Sequence, residues 1–223
     1  MASAEAKLRG FELIRGAVGM LWREKRDASL ILGTFALVLA VIGQVSDAGS
    51  VGGTEGGFAI VSYLWFHRVH QGAWLAKFEV QKFVYLYWTR IKLIVPMGVP
   101  MIVYAILTHE KTPAVLDVSL LLIWLTFTFW LYQRCSLCFP TIVLKRRMKL
   151  RESFKLTRGH NGALLMAGST LLIVILINFI ALMLIVIPFP LFIASTLGTF
   201  SVTALACGLN SEIYRHFEKQ IEG

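Results

Sequence analysis

The chain is 223 residues long, 57% hydrophobic and only 16% charged, with a mean hydropathy of +0.68, whereas soluble domains carry about 25% charged residues. That deficit excludes an ordinary soluble domain and assigns residues 1–223 to one integral-membrane domain. The formal net charge of +9 does not point to nucleic acid, because the basic residues sit at the ends of apolar runs, where membrane orientation and anionic headgroups explain them.

In chain order, residues 5–24 come first. Phe11, Ile14, Val18, Leu21 and Trp22 recur at helical spacing, with Glu12, Arg15 and Arg23 elsewhere on the wheel. This predicts an amphipathic helix lying in the inner headgroup layer; the alternative is a short solvated helix that only orients the first span. The first span is Ala28–Val45, 18 residues without a charge. Ser46-Asp47-Ala48 looks like a signal-peptidase site, but the apolar run exceeds the ~7–15 residues of a signal core, so a retained anchor is expected.

A Gly-rich connection without Lys or Arg leads to a second span over about 52–68, closing on His67, Arg68 and His70. Residues 71–90 mix Lys77, Glu79, Lys82 and Arg90 with six aromatic residues, which suits an interfacial helix. Spans three and four are expected at 91–108, kinked by Pro96 and Pro100, and at 118–133. Spans five and six follow at 163–187 and 191–209, joined by a Pro188-Phe189-Pro190 hairpin.

With both termini inside, 21 of the 22 Lys and Arg residues fall on cytoplasmic segments and one, Lys111, outside. This positive-inside pattern predicts an all-α protein of six transmembrane helices in a bacterial inner membrane, with amphipathic interfacial helices on its cytoplasmic side.

Arg134–Gly162 divides the two membrane halves and holds eight basic residues against one acid, Glu152. A third interfacial helix is expected over 141–158. Leu150 and Phe154 would face the membrane and Lys149, Arg151, Lys155 and Arg158 the phosphates, with Gly159 in a left-handed conformation to end the helix. Arg134, Leu137 and Pro140, followed by Glu152-Ser153-Phe154-Lys155-Leu156-Thr157-Arg158-Gly159, resemble a segment of YciC-type bacterial inner-membrane proteins. They are also similar to the membrane domain attached to some bacterial glycerophosphodiester phosphodiesterases, where a glycine follows the second span as Gly72 does here. The resemblance implies a six-span architecture. It implies no catalysis, since the phosphodiesterase barrel is absent.

Candidates for chemistry each have a plainer reading. Cys135-x-x-Cys138 has metal or redox spacing without a second pair, and with Cys207 the three cysteines are expected to be reduced thiols. His67, Arg68 and His70 have the makings of a metal, haem or headgroup site, or are simply polar residues at a span end. Asn178 suits an interhelical hydrogen bond, and Ser195, Gly198, Thr199 and Thr203 suit close helix packing rather than a substrate path. No nucleotide, nucleophile or zinc motif occurs, and no acid lies in a span core.

The expected function is therefore a non-enzymatic accessory or scaffold component with no cofactor, metal or catalytic residue. It would bind anionic lipid and a membrane-protein partner through Lys145, Arg146, Arg147, Lys149, Arg151, Lys155, Arg158, His67, Arg68 and His70. The rivals are a facilitator moving a lipid or small amphiphile between the helices, and a membrane enzyme acting on headgroups.

Overall fold

The computed structural model describes residues 9–45, 51–72, 78–108, 114–185 and 188–222. The connections expected around 46–50, 109–113 and 186–187, residues 5–8, and the Trp74 and Lys77 stretch lie outside them. Every described element is helical: α1 Gly10–Arg23, α2 Lys25–Ala28, a π turn Ser29–Gly33, α3 Thr34–Val45, α4 Val51–Gln71, α5 Val80–Thr108, α6 Ala114–Cys135, α7 Cys138–Leu144, α8 Leu150–Leu156, α9 Asn161–Leu184 and α10 Pro188–Glu222. Among the described residues, three helical stretches are long and apolar enough to cross a membrane: Ser119–Leu144, Asn161–Leu184 and Phe192–Ile221.

Several boundaries differ from the sequence reading, each for a local reason. Among the described residues of 71–90 there is no separate interfacial helix. Gly72 ends α4 with φ +67°, its N–H bonding back to the Arg68 carbonyl at 3.0 Å, and α5 then runs unbroken from Val80 through Pro96 and Pro100 to Thr108. Tyr63 helps fix that start, since its hydroxyl accepts the Glu79 N–H at 3.1 Å. Pro188-Phe189-Pro190 is not a hairpin but the first turn of α10, where proline's missing N–H leaves no bond unmade. Nor does the last helix stop at 209. It continues to Glu222, because Ile213, Phe217 and Ile221 keep its buried stripe going for three more turns.

The expected 141–158 helix is two short helices with an extended link. Arg147 and Lys149 point out while Met148 is buried between them, an alternation that an extended chain satisfies and a helix does not. The preceding stretch, Gln133–Val143, is buried at every position. The side chains of Ser136 and Thr141 bond the carbonyls of Gln133 and Leu137, at 2.8 and 2.7 Å, and so satisfy their own hydroxyls around this turn.

α1 uses a wider apolar arc than expected. Leu13, Ala17 and Met20 are buried against the body, while Phe11 and Trp22 remain 67% and 74% exposed beside Val18. The core joins this face to Tyr63, Trp65 and Phe66 of α4, to α7, and to Leu209, Ile213, Tyr214 and Phe217 of α10. Two side-chain bonds lock α4 to α10, Trp65 Nε1 to Ser211 Oγ at 3.1 Å and Ser62 with Cys207 at 3.9 Å.

Close backbone approach occurs at Gly168, where a Cβ would stand 2.9 Å from the Phe129 carbonyl carbon of α6. At Gly198 it would meet Asn178 Oδ1 of α9 at 3.0 Å. Gly168→Ala and Gly198→Leu should each lower stability by about 1–3 kcal/mol through overpacking. Gly19→Ala, in open space on α1, should raise it by up to ~1 kcal/mol. Thermal unfolding in mild detergent checks all three, and an unchanged midpoint for Gly168→Ala would refute the tight α6–α9 contact.

Candidate functional site

The site is built around Arg134, at the end of α6. Its guanidinium is the head of a side chain in a residue only 5% exposed, so desolvation of the charge has to be offset locally. Nη2 donates to the Phe154 carbonyl at 2.6 Å and Nε to Thr157 Oγ1 at 3.3 Å. The guanidinium carbon lies 3.5 Å from the centre of the Phe154 ring and 5.5 Å from that of Trp130, aromatic contacts that suit a weakly hydrated cation. The Arg134 carbonyl in turn accepts from Ser153 Oγ at 2.7 Å. Thr157 Oγ1 donates to the Ser153 carbonyl at 2.9 Å, and Gly159 takes φ +97°.

The residues of the Ser153–Gly159 segment thus form a socket that clamps α8 to the end of α6. Phe154, expected to face the membrane, is 38% exposed and covers the guanidinium. The left-handed Gly159 agrees with expectation. Asn161 is the first residue of α9.

Around this clamp lies an exposed basic rim. Lys145, Arg146, Arg147, Lys149, Arg151, Lys155 and Arg158 are all exposed. Arg146 stands 3.6 Å from Glu152 in an open pair, and Arg147 lies 5.2 Å from the Tyr85 ring. Exposed pairs of this kind hold a charge in place but contribute little stability.

His67, Arg68 and His70 do not converge. Arg68 Nε bonds Asp27 Oδ2 at 2.6 Å, and Nη1 bonds the Gly72 carbonyl at 2.7 Å, tying the α4 end to α2. His67 Nδ1 pairs with Gln71 Oε1 at 2.7 Å. His70 stands edge-on to Tyr214, centroids 5.0 Å apart. Burial first, and the Arg215 charge second, push its pKa down to about 4, so it is neutral at pH 7. It borders a cavity of about 330 Å³ with Arg23, Glu24, Arg215 and Glu218.

Among the described residues no three His, Cys, Asp or Glu side chains gather in a metal-holding group. Cys135, Cys138 and Cys207 are buried and free. Thr203 is buried and Ser195 and Thr199 half-buried along α10. Asn178 packs on Gly198, but its Nδ2 donates within α9 to the Val174 carbonyl at 2.7 Å rather than across to α10.

Sequence reading missed Arg90, which is 3% exposed. Its guanidinium lies 4.2 Å from the Phe58 ring and 5.3 Å from Phe139, and Nη1 reaches the Tyr132 hydroxyl at 3.4 Å. Asn210 Nδ2 approaches the same hydroxyl at 3.5 Å. Only the interleaved aromatic residues hinted at this, and its partners are distant in sequence.

Comparison of the chain with protein families, with curated proteins and with solved structures finds no match to any of them.

Arg134→Ala should destabilise the protein by about 3 kcal/mol, from a lost charge-assisted hydrogen bond and π contact. Arg134→Lys should recover less than half of that, since an ammonium lacks the planar fork. Trypsin should cut faster at Lys155 and Arg158 in both variants. Unchanged cleavage and melting would show that the clamp does not hold α8.

Proposed function

We propose that this chain is a non-enzymatic, six-span protein of a bacterial inner membrane, with both termini cytoplasmic, whose basic rim binds anionic headgroups and docks a membrane-protein partner. One observation carries this reading: the segregation of exposed side chains. Large apolar residues stand exposed on α3 (Leu37, Val41), α5 (Val95, Val99), α6 (Ile123, Phe127), α9 (Ile177, Ile180, Leu184) and α10 (Ile193, Leu197). A monomer in water rarely leaves so much apolar surface bare.

The exposed cations gather at the other end. The α4 end meets α10 through Trp65 and Ser211 and α2 through Arg68 and Asp27. The α6 end meets α8 through Arg134, and Gly10 of α1 packs on Met166 near the start of α9. Basic ends of several helices therefore share one side of the molecule, as a positive-inside protein requires.

The helical stretches Lys25–Val45, α4 and α5 support spans one to three beside the three apolar helices. The outward stripe Phe11, Val18 and Trp22, with Lys25 5.5 Å over the Trp22 ring, supports an α1 lying at the interface. α8, with exposed Arg151 and Lys155 and with Arg158 just beyond its end, supports the same for the elbow between the membrane halves.

A reporter active only in the periplasm should be silent when fused after Gly162 or Gly223 and active when inserted after Ala48 or Thr112; activity after Gly162 would overturn the topology. Replacing Lys145, Arg146, Arg147 and Lys149 with glutamine should reduce co-purifying phosphatidylglycerol by about fivefold for each charge that lies at the surface. Native mass spectrometry reads this directly. A variant that keeps its lipid and its partners would refute a functional rim.

A further inference from the structure

We propose that the groove between α6 and α9 holds one acyl chain of an inner-leaflet phosphatidylglycerol whose phosphate is bound by Lys155 and Arg158. This rests on the membrane reading above and narrows it from a charged face to one lipid in one position.

The groove has a volume of about 390 Å³ and is lined by Leu122, Ile123, Thr126, Phe127, Trp130 and Leu165. Leu122, Thr126 and Trp130 are spaced four residues apart, so the lining follows one face of α6 for ~12 Å at 1.5 Å per residue. Gly168, one turn beyond Leu165, brings α9 against the α6 backbone at Phe129 and Trp130. The walls of the groove are apolar and its mouth is open, which fits a flexible hydrocarbon chain.

The clamp continues from the groove. Trp130 lines it and stacks near the Arg134 guanidinium, which lies against the Phe154 ring. Phe154 is followed directly by Lys155 and, one turn later, by Arg158. Both are exposed, and neither makes an ion pair with any described acid.

The one acid of this segment, Glu152, faces Arg146 instead. Past the Trp130 that lines the groove and the Phe154 ring that covers Arg134, Lys155 and Arg158 are thus two exposed cations without an ion pair to any described acid. A lipid phosphate with its chain in the groove supplies both the missing negative charge and the missing apolar filling. A zwitterionic headgroup brings its own cation and leaves the excess uncompensated, which selects phosphatidylglycerol over phosphatidylcholine.

The test is native mass spectrometry of the full chain from mixed phosphatidylglycerol and phosphatidylcholine. The wild-type chain should retain one phosphatidylglycerol. Lys155→Gln with Arg158→Gln should cut retention about thirtyfold, from two surface charges. Thr126→Trp, which fills the groove and leaves the charges alone, should cut it at least as far. Phosphatidylglycerol carrying a photoreactive acyl chain should label the Leu122–Trp130 segment of the wild-type chain, a readout that does not depend on any variant folding.

Retention by Thr126→Trp with loss in the charge variant would overturn the groove while leaving headgroup binding at the rim intact. Retention by both would overturn groove and rim together. Equal retention of phosphatidylcholine, or a groove variant that loses a second copy of the chain instead of lipid, would also overturn the proposal.

Discussion

A guanidinium at the end of an apolar helix has few ways to remain charged. Arg134 is buried, so its donors must find acceptors and its faces must find something polarisable. The chain supplies both from a single segment about twenty residues later: the Phe154 carbonyl, the Thr157 hydroxyl and the Phe154 ring. That requirement shapes the fold around it. α8 has to present its C-terminal carbonyls to α6, which favours a cation at that helix end. The chain between them has to turn back inside the protein, so Gln133–Val143 is buried throughout. α9 starts where Gly159 releases the chain from the socket.

The same logic separates two kinds of positive charge. Arg68, Arg90 and Arg134 are each drawn inward and given a fixed environment, a carboxylate for Arg68 and aromatic faces for the other two. Arg146, Arg147, Lys149, Arg151, Lys155 and Arg158 are left outside, Arg146 in an open pair with Glu152 and Arg147 near the Tyr85 ring. The first set fixes how helices meet at the basic end. The second set contributes little to folding, because exposed charges in high dielectric interact weakly. Its charges remain available to whatever lies against that face.

Much of this was legible where the signal is local. Apolar length marked the helices, and Gly159 marked the end of α8. Segments whose shape depends on distant partners were not legible. Met148 is drawn into the core between two outward cations, and that breaks the helix expected over 141–158. Phe154 looks like a membrane anchor by spacing, and only the nearby end of α6 turns it into a lid on Arg134. Leu13, Ala17 and Met20 were overlooked because Phe11, Val18 and Trp22 form an equally regular stripe on the opposite side of α1, and periodicity alone cannot say which stripe meets protein. Gly168 sits in a run apolar on all sides, where no period distinguishes the lipid face from the contact face.

Packing is uneven along the molecule, and the membrane explains why. At the basic end the core is dense with Trp65, Tyr63, Phe66, Phe139, Tyr214 and Phe217, all essentially inaccessible. Farther along, Ile173, Ile177, Phe179, Ile180, Met183 and Leu184 of α9 and Ile193 and Leu197 of α10 are exposed. In water that half would collapse onto itself or aggregate, since burial of apolar area is the main gain in folding. Between lipid tails the gain vanishes, and helices stay together only where backbones approach closely or polar atoms meet. Gly168 against Phe129 and Gly198 against Asn178 are contacts of this kind. The loosely packed half therefore depends on the tightly packed end for its arrangement: α6, α9 and α10 are gathered where Arg134, α8 and α1 bind them, and their apolar lengths extend from that base.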